Sequence, residues 1–467
     1  MKRKLSFSGL KMPWRARRRP QAGWMGPKLA VLLAATLYAM PGSARAHSLQ
    51  VTWDKQIEVA RGKAFRGPWM MNESVWRFVD DPTVAITDEG NAGVAWADHS
   101  RKDIFFQVFG PDGKARFSEP VNISRSPRIF SWLPRVIMTS GDPEEVFVLW
   151  QEIIFSGGTH GGEILFSRSA DGGKTFSEPL NLSNTPAGAG KGRLFADFWF
   201  NGSLDLAVSP SGVLYAAWTE YEGPLRFSRS TDGGRSFSAP ALIAGGPGEP
   251  PVRGPSLAVG PGGKVHLVWT VGEEMGADLH YTVSTNQGGT FEKPRTIVES
   301  SGYSDAPKIT VDGQDFIHLV YAEGPSGPLE PYQVRYAQSK EGEGTFQEPV
   351  EISKDHSRIF SSVGFPYPDL DGQGNLYVLW ELFHEKEFFP IGLGLTYSGD
   401  GGKTFATPVM VPGGPDPGPG FSGSQQGLFM KKLAVNKGGE LAIVNSIIIP
   451  DESSRILLIR GRMAAKP

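Results

Sequence analysis

Ser169-Ala170-Asp171-Gly172-Gly173-Lys174-Thr175-Phe176 returns as Ser230-Thr231-Asp232-Gly233-Gly234-Arg235-Ser236-Phe237 and again as Ser398-Gly399-Asp400-Gly401-Gly402-Lys403-Thr404-Phe405. A box repeated at near-constant spacing decides the architecture before any single residue is weighed. Aligned on the closing aromatic, Phe117, Phe176, Phe237, Phe291, Phe346 and Phe405 are 59, 61, 54, 55 and 59 residues apart. Between successive boxes lie short apolar runs separated by Gly/Pro-rich turns. The fourth unit shows the pattern: Pro255–Val259 (strand A), a Gly-Pro-Gly-Gly turn, Lys264–Trp269 (B), Asp278–Val283 (C), the box, then Arg295–Val298 (D). Four short antiparallel strands per repeat predict an all-β propeller blade.

The two ends set the blade number. After the sixth box, Leu433–Val435, Glu440–Ile449 and Arg455–Ile459 read as strands A, B and C, with no box and no strand D behind them. Near the other end, Thr52–Val59 matches Thr175–Leu182 almost position for position. The early strand is therefore expected to supply the missing outer strand of the last blade, giving seven blades rather than six and removing an open sheet edge.

Residues 1–28 carry nine Lys or Arg and no acid, Leu29–Met40 is almost wholly apolar, and Ala44-Arg45-Ala46 offers small residues at the positions a signal peptidase reads. Residues 1–46 are thus expected to be a secretory signal cleaved after Ala46, and 47–467 a single propeller domain that is secreted or periplasmic. Without those ten basic residues the chain has 37 basic against 49 acidic side chains, a balance of −12. Such a chain is a poor partner for nucleic acid or an anionic membrane. It has no cysteine, which excludes disulfides and thiolate metal sites, and its eight histidines show no ligand spacing. No cofactor is expected.

The boxes fall on C–D turns, where glycines permit positive φ and an aspartate can accept backbone N–H groups. Asp171, Asp232 and Asp400 are therefore read as structural. Asn286 and Glu341 replace Asp in the fourth and fifth copies, a drift that a turn tolerates and a catalytic array does not.

These motifs resemble the Asp-box, or bacterial neuraminidase repeat, of the sialidase superfamily. The resemblance spans nearly all of Ser48–Arg462 and implies the propeller fold. It also implies a site with arginines for a substrate carboxylate, a Glu-activated Tyr nucleophile and an Asp acid/base. Trp76-Arg77-Phe78 stands where the family has its first arginine motif, without the Ile-Pro that follows there. Asp98-His99-Ser100-Arg101 echoes the acid and arginine after strand B. The last blade, Leu428–Arg460, contains no tyrosine; Tyr321, Tyr367 and Tyr397 are the possible substitutes.

The site is expected on the face opposite the boxes, built by the long D–A and B–C loops (Ala60–Asp81, Asn184–Ser203, Trp380–Gly392 and Gly413–Met430). Strand B repeatedly ends in an aromatic and then an acid: Trp96/Asp98, Trp150/Glu152, Trp218/Glu220, Tyr321/Glu323 and Trp380/Glu381. The D–A loops supply Arg66, Arg77, Arg128, Arg135, Arg193, Arg253 and Arg358. From these, Asp98, Glu220 and Tyr321 are the candidate catalytic groups. Arg77, Arg101, Arg135, Arg253, Arg358, Glu152 and Glu323 are the candidate ligand-binding groups. The plainer reading of the same residues is a salt-bridged rim. The expected function is an exported propeller whose loop face binds a glycan or other anionic ligand. An exo-sialidase-type hydrolase and a scaffold for an extracytoplasmic protein are the alternatives.

Overall fold

The computed structural model describes residues 50–68, 70, 72–152, 162–183, 193–195, 198–200, 203–220, 223–272, 274–327, 331–340, 344–384, 390–413, 420–423 and 431–463. The expected signal segment and Glu341 lie outside them, as do most of the loops 184–203 and 413–430 and residues 385–389 of the loop Trp380–Gly392. The described strands form seven four-stranded antiparallel blades, in the A–B–C–D order read from the repeat. Their A strands are Val79–Ile86, Ser131–Met138, Leu204–Val208, Val252–Val259, Tyr303–Val311, Ser362–Leu370 and Leu433–Val435. Those of successive blades touch around the ring, the seventh meeting the first. The only helix among the described residues is the single turn Lys354–Ser357, and none is long and apolar enough to cross a membrane.

Central strands are apolar along their whole length because each blade is covered on both faces by its neighbours. Val146–Glu152 and Leu376–Phe383 are buried at every residue. Trp150, Trp218, Trp269 and Trp380 are among the largest fully buried side chains.

The boxes are turns that also bolt one blade to the next. Asp171 accepts the Thr175 amide at 2.9 Å and its hydroxyl at 2.6 Å, while Ser169 Oγ accepts the Gly173 amide at 2.9 Å. Asp232 and Asp400 make the same contacts in their own boxes, and Asn286 accepts the Thr290 amide while its Nδ2 donates to the Thr290 hydroxyl. The closing aromatics of blades two to six then pack edge-on against a strand C aromatic of the preceding blade: Phe176 on Phe106, Phe237 on Phe166, Phe291 on Phe227, Phe346 on Tyr281 and Phe405 on Tyr336. Ring centroids lie 4.7–6.1 Å apart, within the range where such edge-to-face pairs are favourable.

Ring closure occurs where the repeat alignment placed it, in two pieces. Val51–Trp53 pairs with Gly461–Met463, and Ile57–Gly62 pairs with Ser454–Leu458. Ser454 Oγ donates to the Lys63 carbonyl at 2.6 Å and accepts the Val79 amide at 2.9 Å, joining blade seven to blade one. Arg460, 3 % exposed, donates to the carbonyls of Gly110 and Gly90 at 2.6 and 2.7 Å across the same junction.

Candidate functional site

The site begins with a kink in the innermost strands. In five blades, two residues of strand A oppose one of strand B: Asp81-Pro82, Leu133-Pro134, Gly254-Pro255, Ala306-Pro307 and Phe365-Pro366. The opposed residue is in each case the recurrent strand B aromatic, Trp96, Trp150, Trp269, Tyr321 or Trp380. The residue before each proline is left-handed, with φ of 54°, 52°, 63°, 49° and 54° respectively. Proline suits a bulge because it has no N–H to give the ladder, and four of the five left-handed residues are not glycine, which costs about 1–2 kcal/mol each. A bulge re-aims the residue that follows it.

Aligned on the bulge, the next position is Thr83, Arg135, Ser256, Lys308 or Tyr367, and Asp205 and Lys432 hold the same register in blades three and seven. All except Tyr367 are buried, and Tyr367 is partly so. Part of this ring is structural, because an innermost strand turns unpaired N–H groups toward the axis. Asp205 Oδ2 accepts the Leu257 amide of the next blade at 2.9 Å, and Ser256 Oγ accepts that of Ile309 at 3.2 Å.

The rest of the ring forms a charged cluster. The Arg135 guanidinium (blade two) lies 3.9 Å from the Asp205 carboxylate (blade three). Burial lowers the Arg135 pKa, and Asp205, Tyr367 and Asp81 are close enough to oppose it. Burial likewise lowers the Lys308 ammonium to about 8, against the attraction of Asp205 and with the repulsion of Arg135. The Tyr367 hydroxyl is held well above the ordinary range by burial and by Asp205 and Asp369, with Arg135 pulling the other way. Side chains from blades one, two, three, five and six can feel one another in this way only at the propeller axis. Titratable groups displaced in opposite senses and gathered at one point are a mark of functional sites.

The other candidates lie elsewhere. Tyr321 is 1 % exposed and sits opposite its bulge in the packed layer between blades; burial, then Glu323, pushes its pKa up. Strand B acids are taken by near neighbours. Glu220 meets Arg226 at 3.2 Å and Glu323 meets Arg335 at 2.6 Å, each within its own B–C hairpin, and Glu381 pairs with Lys432 of blade seven. Glu152 accepts from Ser126, from Ser131 at 3.3 Å and from Trp150 Nε1 at 3.0 Å, and burial raises its pKa. Asp98 accepts the Ser100 and Arg101 amides of its own turn at 2.9 and 3.2 Å, and the Arg101 side chain lies 3.6 Å away. Arg253 is buried, bonded to Asp305 at 3.1 Å and to the Gly272 carbonyl, with its guanidinium 4.8 Å from the Tyr303 ring centroid. Arg77, Arg128 and Arg358 are exposed; Arg358 lies 3.6 Å from Asp355. In Arg128-Ile129-Phe130 and Arg358-Ile359-Phe360 the buried anchor is the phenylalanine.

Of the candidate site residues, Arg135 is the one that belongs to this axial cluster, together with Tyr367 from the possible tyrosines. Asp205 and Lys308 are further members. Aligning strand A on its x-Pro pair rather than on the boxes exposes the register that Lys308 shares with Arg135 and Tyr367; Asp205, whose strand has no such proline, shows it only through its pairing with Ala217.

No protein-family model matches the chain, and no curated protein does. Solved structures match in fold. A PL25 ulvan lyase superimposes with a TM-score of 0.55 at 13% identity, over 86% of this chain and 95% of that one. Polysaccharide lyase Uly1 gives 0.52 at 11% identity, over 87% and 99%. The K499G mutant of NanB sialidase from Streptococcus pneumoniae gives 0.42 at 11%, over 70% and 68%. For the two lyases, at these identities, the likeness is one of fold.

Proposed function

We propose that this chain is a glycan-binding propeller whose loop face takes an acidic saccharide over the axial cluster of Arg135, Asp205, Lys308 and Tyr367. The observation that carries this reading is the convergence of buried cations, a carboxylate and a phenol from several blades, with box turns at the opposite face. A guanidinium recognises a carboxylate or sulfate with directed hydrogen bonds, and hydroxyl and carboxylate groups read sugar hydroxyls. Support of a coarser kind comes from the fold: the ulvan lyase that shares it has been solved bound to -[GlcA(1-4)Rha3S]-, which carries both a carboxylate and a sulfate. The proposed setting is extracytoplasmic, on the strength of the basic and apolar leader.

The test is thermal stabilisation of the purified chain by a panel of acidic oligosaccharides set against neutral arabinan. Stabilisation by acidic members alone is expected; an equal response to both, or none, overturns the reading.

A second reading, exo-sialidase-type hydrolysis, is favoured by one observation. Tyr367 stands within electrostatic range of Asp205 and Asp369, with Arg135 also in range; carboxylates are the kind of group that activates a tyrosine nucleophile when brought within hydrogen-bond reach. Release of fluorophore from a 4-methylumbelliferyl sialoside, lost in Tyr367→Phe, is its expected result. No turnover at mildly acidic to neutral pH removes it and leaves the binding reading standing.

A further inference from the structure

We propose that Lys308 is the residue that seats one oxyanion group of the ligand, a carboxylate or sulfate, at the axis, with Arg135 as the neighbouring cation. This rests on reading the axis as a ligand site.

Lys308 is 3 % exposed, and among the described residues its ammonium makes no hydrogen bond and no ion pair. An ammonium has three donors and no acceptor, and burying one without partners is costly. Each of the other buried cations meets a protein acceptor: Arg253 meets Asp305, Lys432 meets Glu381, and Arg460 meets two carbonyls and Glu440. Arg135 donates to the Pro134 carbonyl at 3.1 Å and faces Asp205.

The structural duty of the ring position does not account for a lysine. Asp205 and Ser256 serve there as acceptors for the next blade's amide. Lysine cannot accept, and the amide that would call on Lys308 belongs to Pro368, which has none. The position is thus released from capping, yet it is filled by a charge rather than by a hydrocarbon side chain. It is held there by a left-handed alanine, Ala306 (φ 49°), ahead of Pro307. Asp205 and Arg135 lie close enough to Lys308 for their charges to act on it, and Tyr367 is in range of both of them. An oxyanion brought between Lys308 and Arg135 would supply the acceptors that the ammonium lacks.

Calorimetric titration of the full chain with D-glucuronate, N-acetylneuraminate and inorganic sulfate, in wild type, Lys308→Met and Lys308→Arg, tests this. Lys308→Met should weaken sugar-acid binding at least about tenfold, and Lys308→Arg should recover part of it. The unliganded Tm of Lys308→Met should equal or exceed that of wild type, because an unpaired buried charge has been removed. Wild-type affinity in Lys308→Met overturns the assignment while leaving the loop-face reading intact. A lower unliganded Tm assigns the lysine to stability and also overturns it. Binding of sulfate without either sugar acid reduces the site to one for a free anion and sinks the saccharide assignment. A wild type that binds none of the three removes the axial reading itself.

Discussion

Gly401 and Gly402 stand side by side in the sixth-blade box and carry different loads. Both are left-handed, with φ of 72° and 87°, but a Cβ on Gly401 would meet nothing within 4 Å, whereas one on Gly402 would overlap the Tyr336 hydroxyl. Gly401→Ala should therefore cost about 1 kcal/mol of backbone strain. Gly402→Ala should cost about 2–4 kcal/mol, because the clash adds to the strain; urea unfolding of the two variants should resolve the difference, and equal losses would refute the packing role. The box carboxylates make a second prediction. Asp232 is held below its ordinary value of 3.8, first by the Ser236 hydroxyl and then by the Ser236 amide and Ser230. A depressed folded pKa contributes stability that is present above the unfolded value and is lost as pH falls through the acid range. Asn286 makes the same turn without a charge. Asp232→Asn should accordingly keep its turn near neutrality and lose part of the acid-side slope of stability against pH. An unchanged slope would show that the box carboxylate is not what titrates. This much of the box was legible from residue types, since spacing, glycine and substitution drift all report on a turn.

Strand A is the element in which sequence and structure part company. Its x-Pro bulges were not visible as bulges from alternation alone, because a bulge is defined by the partner strand it misaligns with. Of the strand B aromatics that precede an acid, Trp96, Trp150, Tyr321 and Trp380 sit opposite the bulges in the packed layer, which is why Tyr321 is sealed from the axis. Arg253, a candidate ligand-binding group, is half of a tie between the inner strands of blades four and five, as the salt-bridge reading of these arginines expects, both partners being nearly buried. Removing one member of a buried pair strands the other. Arg253→Ala should cost about 3–5 kcal/mol by urea unfolding, with Asp305 left uncompensated, and Arg253→Ala/Asp305→Ala should cost less than the sum of the single changes. A loss below about 1 kcal/mol would free the guanidinium for another role.

At the scale of the whole molecule the ring depends on its first described strands. Deleting residues 51–62 would strip blade seven of its outer strand and expose the edge of Ser453–Met463, an invitation to pair with a second copy. The truncated chain should unfold or associate on a sizing column; a stable monomer would refute the closure. That closure, the blade number and the strand order could be read from the chain because they follow from local chemistry repeated at fixed intervals. Glycines and an aspartate make a turn wherever they recur, and an outer strand missing at one end must be sought at the other. Which side chains meet at the axis could not be read in this way. Arg135, Asp205, Lys308 and Tyr367 are separated by 70, 103 and 59 residues, no local pattern joins them, and their charges interact only because seven blades bring their innermost strands to one point. Proximity set by ring closure lies beyond what sequence periodicity records, and it belongs to the tertiary structure alone.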